Sequence, residues 1–310
     1  MLKGGDEVAE LWVLADKAET AKELLAHAKS LAGDETIACL TGSAETAEAA
    51  AAHGADRVLL YEGGSRPESY VPHWCERARL ERPAALLLGA DRRSKEIAAR
   101  MAARLQAGLI SDCVKLERRE GFYSERYLFG GLCLAGETTG SAPFLATMAA
   151  GKAQPLPAGA PASVEKVTVS CDDAVRRIDL RPHRSASNLM EAKVIVCAGR
   201  GVAKQEDLKL AEELARALGG EVGCTRPVAE ERHWMPEENY IGITGKKPAP
   251  ELYITLGVSG QIQHMSGVRD SKCIVAIEKN DGAPITEAAD YTIIGDLYEV
   301  VPKMLAELRS

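Results

Sequence analysis

The first half of the chain alternates short apolar runs with Ala-rich amphipathic stretches, and this alternation predicts its elements. Residues 11–15 (LWVLA) read as a buried strand. Residues 20–31 read as a helix with Leu24, Leu25, Ala28 and Leu31 on one face. A strand over 36–40 and a helix over 44–53, closed by Gly54, repeat the rhythm. Then come a strand over 58–61, a loop with Gly63, Gly64 and Pro67, and a helix near 71–80. Residues 84–88 (AALLL) are apolar throughout, as a strand covered on both faces must be. The helix over 94–105 turns Ile97, Met101 and Leu105 inward. Five such alternations predict a doubly wound parallel sheet.

Past Gly108 the pattern changes. Residues 109–116, 123–129, 144–149 and 164–169 read as strands with no helix between them, which predicts a short antiparallel extension of the first domain. A polar connector over 179–191 holds Pro182, Ser185, Ser187 and Asn188, and the domain boundary is drawn there. Residues 1–187 then form an N-terminal α/β domain and residues 188–310 a second one. The second domain restarts with a strand over 194–197, a Gly199-Arg200-Gly201 turn and a helix over 208–218. Strands over 252–257, 273–277 and 292–294 follow. A helix over 300–308 closes the chain, with Pro302 in its first turn. The fold class is α/β in two domains, the second Rossmann-like.

Composition narrows the class. A length of 310 residues fits two domains of about 150 each. Only 5% of residues are aromatic, so the core is built from Ala, Val, Leu and Ile. The net charge of −7 argues against nucleic-acid binding, which needs a basic surface. No apolar run reaches the ~18 residues of a membrane span, so no membrane insertion is expected. Residues 1–7 (MLKGGDE) lack a signal-peptide apolar region, and a cytoplasmic location is expected. Eight cysteines stand without a C-x-x-C pair. They read as small buried hydrophobes in a reducing compartment, with no metal site.

The generic catalytic motifs are incomplete, and no catalytic residue is predicted. Gly199-Arg200-Gly201 is half a dinucleotide fingerprint, with Lys204 where the third glycine belongs. That weakens an NAD-dependent dehydrogenase. Residues 257–261 (GVSGQ) resemble a nucleophile elbow but end on Gln261, against a hydrolase. What remains is three small-residue turns after apolar segments: 223–226 (GCTR), 241–245 (IGITG) and 257–264 (GVSGQIQH). Any one glycine turn is ordinarily just a turn. Three in one domain, carrying Arg, Thr and His where open α/β sheets bind ligands, point to a dinucleotide across the sheet edge.

The run 250–264 (PELYITLGVSGQIQH) resembles the FAD-binding signature of electron transfer flavoprotein alpha subunits. So does 267–272 (GVRDSK), continuing into 275–277, 283–285, 289–291 and 295–297. Upstream, 198–201 (AGRG) and Thr225-Arg226 fit the same pattern, and a looser likeness runs through 53–58, 88–90 and 107–113. The resemblance implies one FAD in the second domain, with the first domain as a platform for a beta subunit. It also implies a carrier role, electrons arriving from flavoprotein dehydrogenases of the acyl-CoA type and leaving singly. A bifurcating variant, with a second FAD in the beta subunit and NADH as donor, stays open. So does a nucleotide-binding module without redox activity.

Carried over position by position, the resemblance sets Arg226 against the isoalloxazine, Thr244 near flavin N5 and His264 near the C2 carbonyl. Ser259, Gly260, Gln261, Ile262 and Gln263 would follow the flavin and phosphates. Arg200, Thr225, Ile241, Gly242, Ile243, Glu278, Asp296 and Leu297 complete the implied FAD contacts. A cation at 226 and a donor at 264 would stabilise negative charge on a reduced flavin. Read without the resemblance, Arg226 is a surface arginine and His264 a helix-face histidine satisfied by backbone. Three departures stand out. Ile243 replaces the usual Gln, Glu278 replaces the usual Asn, and one extra residue lies between Arg226 and Thr244, in the loop with 233–236 (HWMP). Trp234 there reads either as packing under the loop or as an added stacking or partner contact.

Overall fold

The computed structural model describes residues 10–171, 175, 178–179 and 188–309. The chain divides into two compact units, Met1–Leu180 and Arg181–Ser310. This division falls within the polar connector. The N-terminal heptapeptide and the sequence-drawn boundary after residue 187 lie outside the described residues.

In the first unit the chain runs β1 (Glu10–Leu14), α1 (Ala18–Leu31), β2 (Thr36–Thr41), α2 (Ala44–Ala52) and β3 (Arg57–Glu62). It continues through α3 (Val71–Glu81), β4 (Ala85–Gly89) and α4 (Arg92–Leu105). Successive side chains of a strand face opposite ways, so each central strand feeds two cores. Leu11 and Val13 meet Leu24, Leu25 and Ala50 from α1 and α2. Trp12 and Leu14 meet Trp74, Ile97 and Met101 from α3 and α4. The continuous apolar runs at β1 and β4 are the direct result of this two-sided burial.

The remaining strands are β5 (Leu109–Arg118), β6 (Phe122–Leu128), β7 (Cys133–Glu137), β8 (Phe144–Met148) and β9 (Ser163–Thr168). They include the expected antiparallel extension but narrow it to three strands. Only β5, β6 and β7 pair antiparallel. β8 returns into the sheet parallel to both β4 and β5, and β9 lies parallel to β3. Among the described residues the order is β7-β6-β5-β8-β4-β1-β2-β3-β9. β8 is buried at every position, which explains its central place.

The second unit holds β10 (Val194–Ala198), α5 (Leu208–Ala217), β11 (Glu221–Cys224), β12 (Leu252–Leu256) and α6 (Ile262–Met265). Then come β13 (Ile274–Glu278), α7 (Pro284–Ala288), β14 (Tyr291–Ile294) and α8 (Leu297–Leu308). All five strands are parallel, in the order β11-β10-β12-β13-β14. Counting from β10 this is 2-1-3-4-5, a doubly wound order whose direction of winding reverses between β10 and β12. α5 and α8 cover one face through Leu214, Val301 and Leu305. On the other face Tyr253, Ile195 and Cys197 pack beneath Ile241, Val258 and Val268.

The closing helix starts earlier than expected. Asp296 caps it, its carboxylate accepting from the Tyr298 amide at 2.9 Å, so Pro302 lies inside the helix and not in its first turn. The capping bond fixes the start at Leu297.

Candidate functional site

A switch in winding direction leaves a crevice at the carboxyl ends of the strands on either side of it. Here that crevice is a cleft of about 310 Å³, built by the turns leaving β10, β11 and β12. After β10, the Gly199 amide donates to Leu256 O and the Gly201 amide to Gly257 O, both at 2.9 Å. The two turns thus cross backbone to backbone, and Arg200 lines the cleft beside them.

After β11 the Thr225 amide donates to Ala198 O, and the chain enters a π-helical turn over Pro227–Glu231. A π-turn holds one residue more than an α-turn. Arg226 opens the turn and is largely exposed, its Nε donating to Glu230 Oε2 at 2.6 Å. That partner raises the guanidinium pKa further above its ordinary value. Beyond the turn Arg232 Nη1 donates to Val202 O, and its guanidinium lies 4.4 Å over the Trp234 ring. Trp234 packs against the α5/α8 core and is not among the residues that line the cleft.

After β12, residues 257–261 lead into the short α6. The Gly260 backbone has φ +76, and a Cβ there would stand 2.5 Å from Ile285 N. Only glycine lets the turn pass so close to α7. The third turn, over 240–246, docks against α6 where the Ile243 amide donates to Gln263 O at 2.7 Å. Thr244 Oγ1 and Tyr240 Oη share a hydrogen bond of 3.2 Å on the cleft wall.

The cleft therefore brings together Arg200, Thr225, Arg226, Ile243, Thr244, Ser259, Gly260, Gln261, Gln263 and His264. It does not include the other expected residues. Ile241 is buried beneath the cleft, Gly242 shapes its turn and Ile262 opens α6, partly exposed. Glu278 ends β13, its carboxylate accepting from the amides of Lys279 and Asn280. Asp296 and Leu297 begin α8. Glu278, Asp296 and Leu297 share the carboxyl edge of the sheet with the cleft. Sequence reasoning missed Pro227, Tyr240 and Val258 as lining residues. Val258 was readable from its place inside the GVSG turn; Tyr240 carried no signal.

His264 lines the cleft and is buried. Its Nδ1–H donates to Ile241 O at 3.1 Å, and its Nε2 accepts from Tyr253 Oη at 3.0 Å. Both nitrogens of the neutral ring are thus engaged inside the protein. Burial lowers its pKa to about 4. The unfolded ring, near 6.5, takes up a proton first as the pH falls, so the stabilising contribution is complete above about pH 6.5 and lost towards pH 4. Urea titrations across that window should show the second unit losing as much as about 3 kcal/mol. A His264→Gln variant should show a shallower slope; an unchanged slope would contradict this assignment.

Thr225 supplies the test of fit for a cofactor. Its hydroxyl is buried on the cleft wall and has no hydrogen-bond partner among the described residues. A buried hydroxyl without a partner costs free energy that a polar ligand in the cleft relieves. Beside it stand Arg226, the Thr244 hydroxyl and the side-chain-free Gly260. Such a donor-rich, concave site suits a flavin nucleotide.

No helix among the described residues is long and apolar enough to cross a membrane. Residues 12–172 match the electron transfer flavoprotein domain, and residues 188–269 match the electron transfer flavoprotein FAD-binding domain. YdiR of Escherichia coli (strain K12), named for an electron transfer flavoprotein subunit, is 35% identical, the match covering 97% of this chain and 99% of that one. Protein FixB of Salmonella typhimurium is 34% identical over 98% of this chain and 99% of its own. The electron transfer flavoprotein subunit alpha of Clostridium acetobutylicum is 32% identical over 97% of each chain. Two-unit α/β architecture, a cleft at the switch point and these matches agree: the chain belongs to the electron transfer flavoprotein alpha-subunit family and carries its FAD-binding domain.

Proposed function

We propose that the chain holds one FAD across the carboxyl edge of its second sheet and works as the alpha half of a heterodimeric electron carrier. The unpartnered Thr225 hydroxyl in a cleft at the winding switch is the observation that carries this reading. Members of this family pair with a beta subunit, and the first unit serves here as the platform for it. Flavoprotein dehydrogenases are the donor and acceptor.

The chain's own residues divide the work. Arg226 sets a positive charge at the cleft wall, and Thr225 and Thr244 offer hydroxyls. His264 closes the cleft as a neutral ring, since Ile241 and Tyr253 occupy its nitrogens. Arg200 would meet the phosphates from the cleft wall, and Glu278, Asp296 and Leu297 would line the far end of the same edge. When bound, FAD supplies a ring that accepts and returns electrons one at a time.

Co-expression with the beta subunit tests the reading. The purified pair should be yellow and release one FAD per heterodimer on denaturation. Two FAD, with NADH-dependent bleaching, would instead assign the bifurcating variant. A colourless pair that takes up no added FAD would overturn the proposal in favour of a nucleotide-binding module.

A further inference from the structure

We propose that Glu230 is a positioning residue: it holds the Arg226 guanidinium at the cleft wall, ready for the cofactor. This inference rests on the FAD reading above. Arg226 is 65% exposed, and an exposed arginine on its own samples many rotamers. Only some of them face the cleft. Here a single bond, Nε to Glu230 Oε2 at 2.6 Å, fixes the guanidinium plane. The bond uses the inner nitrogen, so the guanidinium edge away from Nε stays available to an oxygen-rich ligand.

The local fold explains why Glu230 can do this. Arg226 has helical torsions, φ −49 and ψ −46, and starts the π-turn. The turn is closed by Arg232 N donating to Pro227 O and by Trp234 N donating to Val228 O. Val228 and Ala229 are fully buried in the α5/α8 core, so the backbone carrying Glu230 is anchored. Glu230 is itself one-third exposed. Before ligand binds, such a surface pair adds little to stability. Its contribution is to the bound state, where an ordered arginine no longer loses rotamer freedom.

Positioning and charge pull in opposite directions, which makes the inference testable. As a bare charge, Glu230 would repel an anionic dinucleotide, and its removal would tighten binding. As a positioning residue its removal weakens binding. The heterodimer is co-expressed with its beta subunit, stripped of flavin and titrated with FAD. Glu230→Ala should raise the FAD dissociation constant about fivefold. Glu230→Gln, which keeps an acceptor at the same reach, should stay within about twofold of the parent. Both substitutions should have no effect in an Arg226→Ala background, because the coupled partner is gone. The flavin midpoint potential should follow the same coupling.

An equal loss of affinity in both backgrounds would overturn the proposal and assign Glu230 a purely structural role. Tighter FAD binding by Glu230→Ala would overturn it in favour of simple repulsion. A parent heterodimer that takes up no FAD would refute the underlying cofactor reading, and it is distinguished from both by the absence of any binding curve.

Discussion

Arg226→Ala should weaken FAD binding by about tenfold to hundredfold, the loss expected when a charged hydrogen-bond donor is removed from a ligand site. The side chain stands on the cleft wall and is held through its Nε by Glu230. Removing it takes away both a fork of donors and a positive charge. The second effect has its own signature. A positive charge beside a flavin favours the more negative, reduced ring, so the midpoint potential should fall in the variant. Arg226→Lys keeps the charge and loses the planar fork, so it should restore much of the potential and little of the affinity. Flavin titration of the stripped heterodimer and spectroelectrochemistry measure the two separately. Unchanged affinity together with unchanged potential would place Arg226 outside the flavin site.

How legible these features are in the sequence depends on whether neighbouring residues or distant ones create them. The first sheet is legible because β1, β2 and β4 are buried on both faces, and two-sided burial leaves unbroken apolar runs such as ALLLG. β7 leaves no such trace: it is an edge strand, CLAGE, mostly exposed, with neither alternation nor an apolar run. The place of β8 in the sheet is likewise illegible. Five buried residues announce a central strand but not its neighbours, and strands with no helix between them predict antiparallel pairing. α8 was misplaced for another reason. Weight given to Pro302 obscured Asp296 and Glu299, which carry the D-x-x-E signature of a helix start.

The site divides the same way. Arg200, Thr225, Arg226 and the GVSGQ turn were legible because each directly follows an apolar strand, and strand ends are where such sheets bind ligands. The backbone engagement of His264 was legible as that of a helix-face histidine, but its bond to Tyr253 was not. Tyr253 lies near the start of β12 and reads as one more core residue, yet its hydroxyl meets His264 only after the chain has left the strand and turned back through α6. Glu230 is similarly hidden. In a polar loop a glutamate reads as solvated surface until the π-turn brings it against Arg226.

Gly257→Ala should be among the most damaging single substitutions in the second unit, costing about 3 kcal/mol or more, because it meets two independent penalties. The first is conformational. Gly257 has φ +62, a left-handed backbone that costs a residue with a Cβ roughly 1–2 kcal/mol. The second is steric, since the added Cβ would stand 2.7 Å from Gly201 Cα and 3.2 Å from Gly201 C and N. These are backbone atoms, tied down by the Gly201 amide's bond to Gly257 O, and they have no rotamer by which to yield. Relief would require pulling apart the crossed turns that set Arg200 and residues 258–261 around the cleft, so FAD retention should fall with stability.

Gly219→Ala separates the penalties, because Gly219 also has positive φ, +66, but faces open space. It should cost only the conformational part, about 1–2 kcal/mol. Urea unfolding of the full chain, with hydrogen exchange read over β10 and β12, compares the two variants. Equal destabilisation would mean that the Gly201–Gly257 crossing yields without cost. A clear excess for Gly257→Ala, with faster exchange confined to β10, β12 and their turns, would identify that backbone contact as what keeps the cleft in shape.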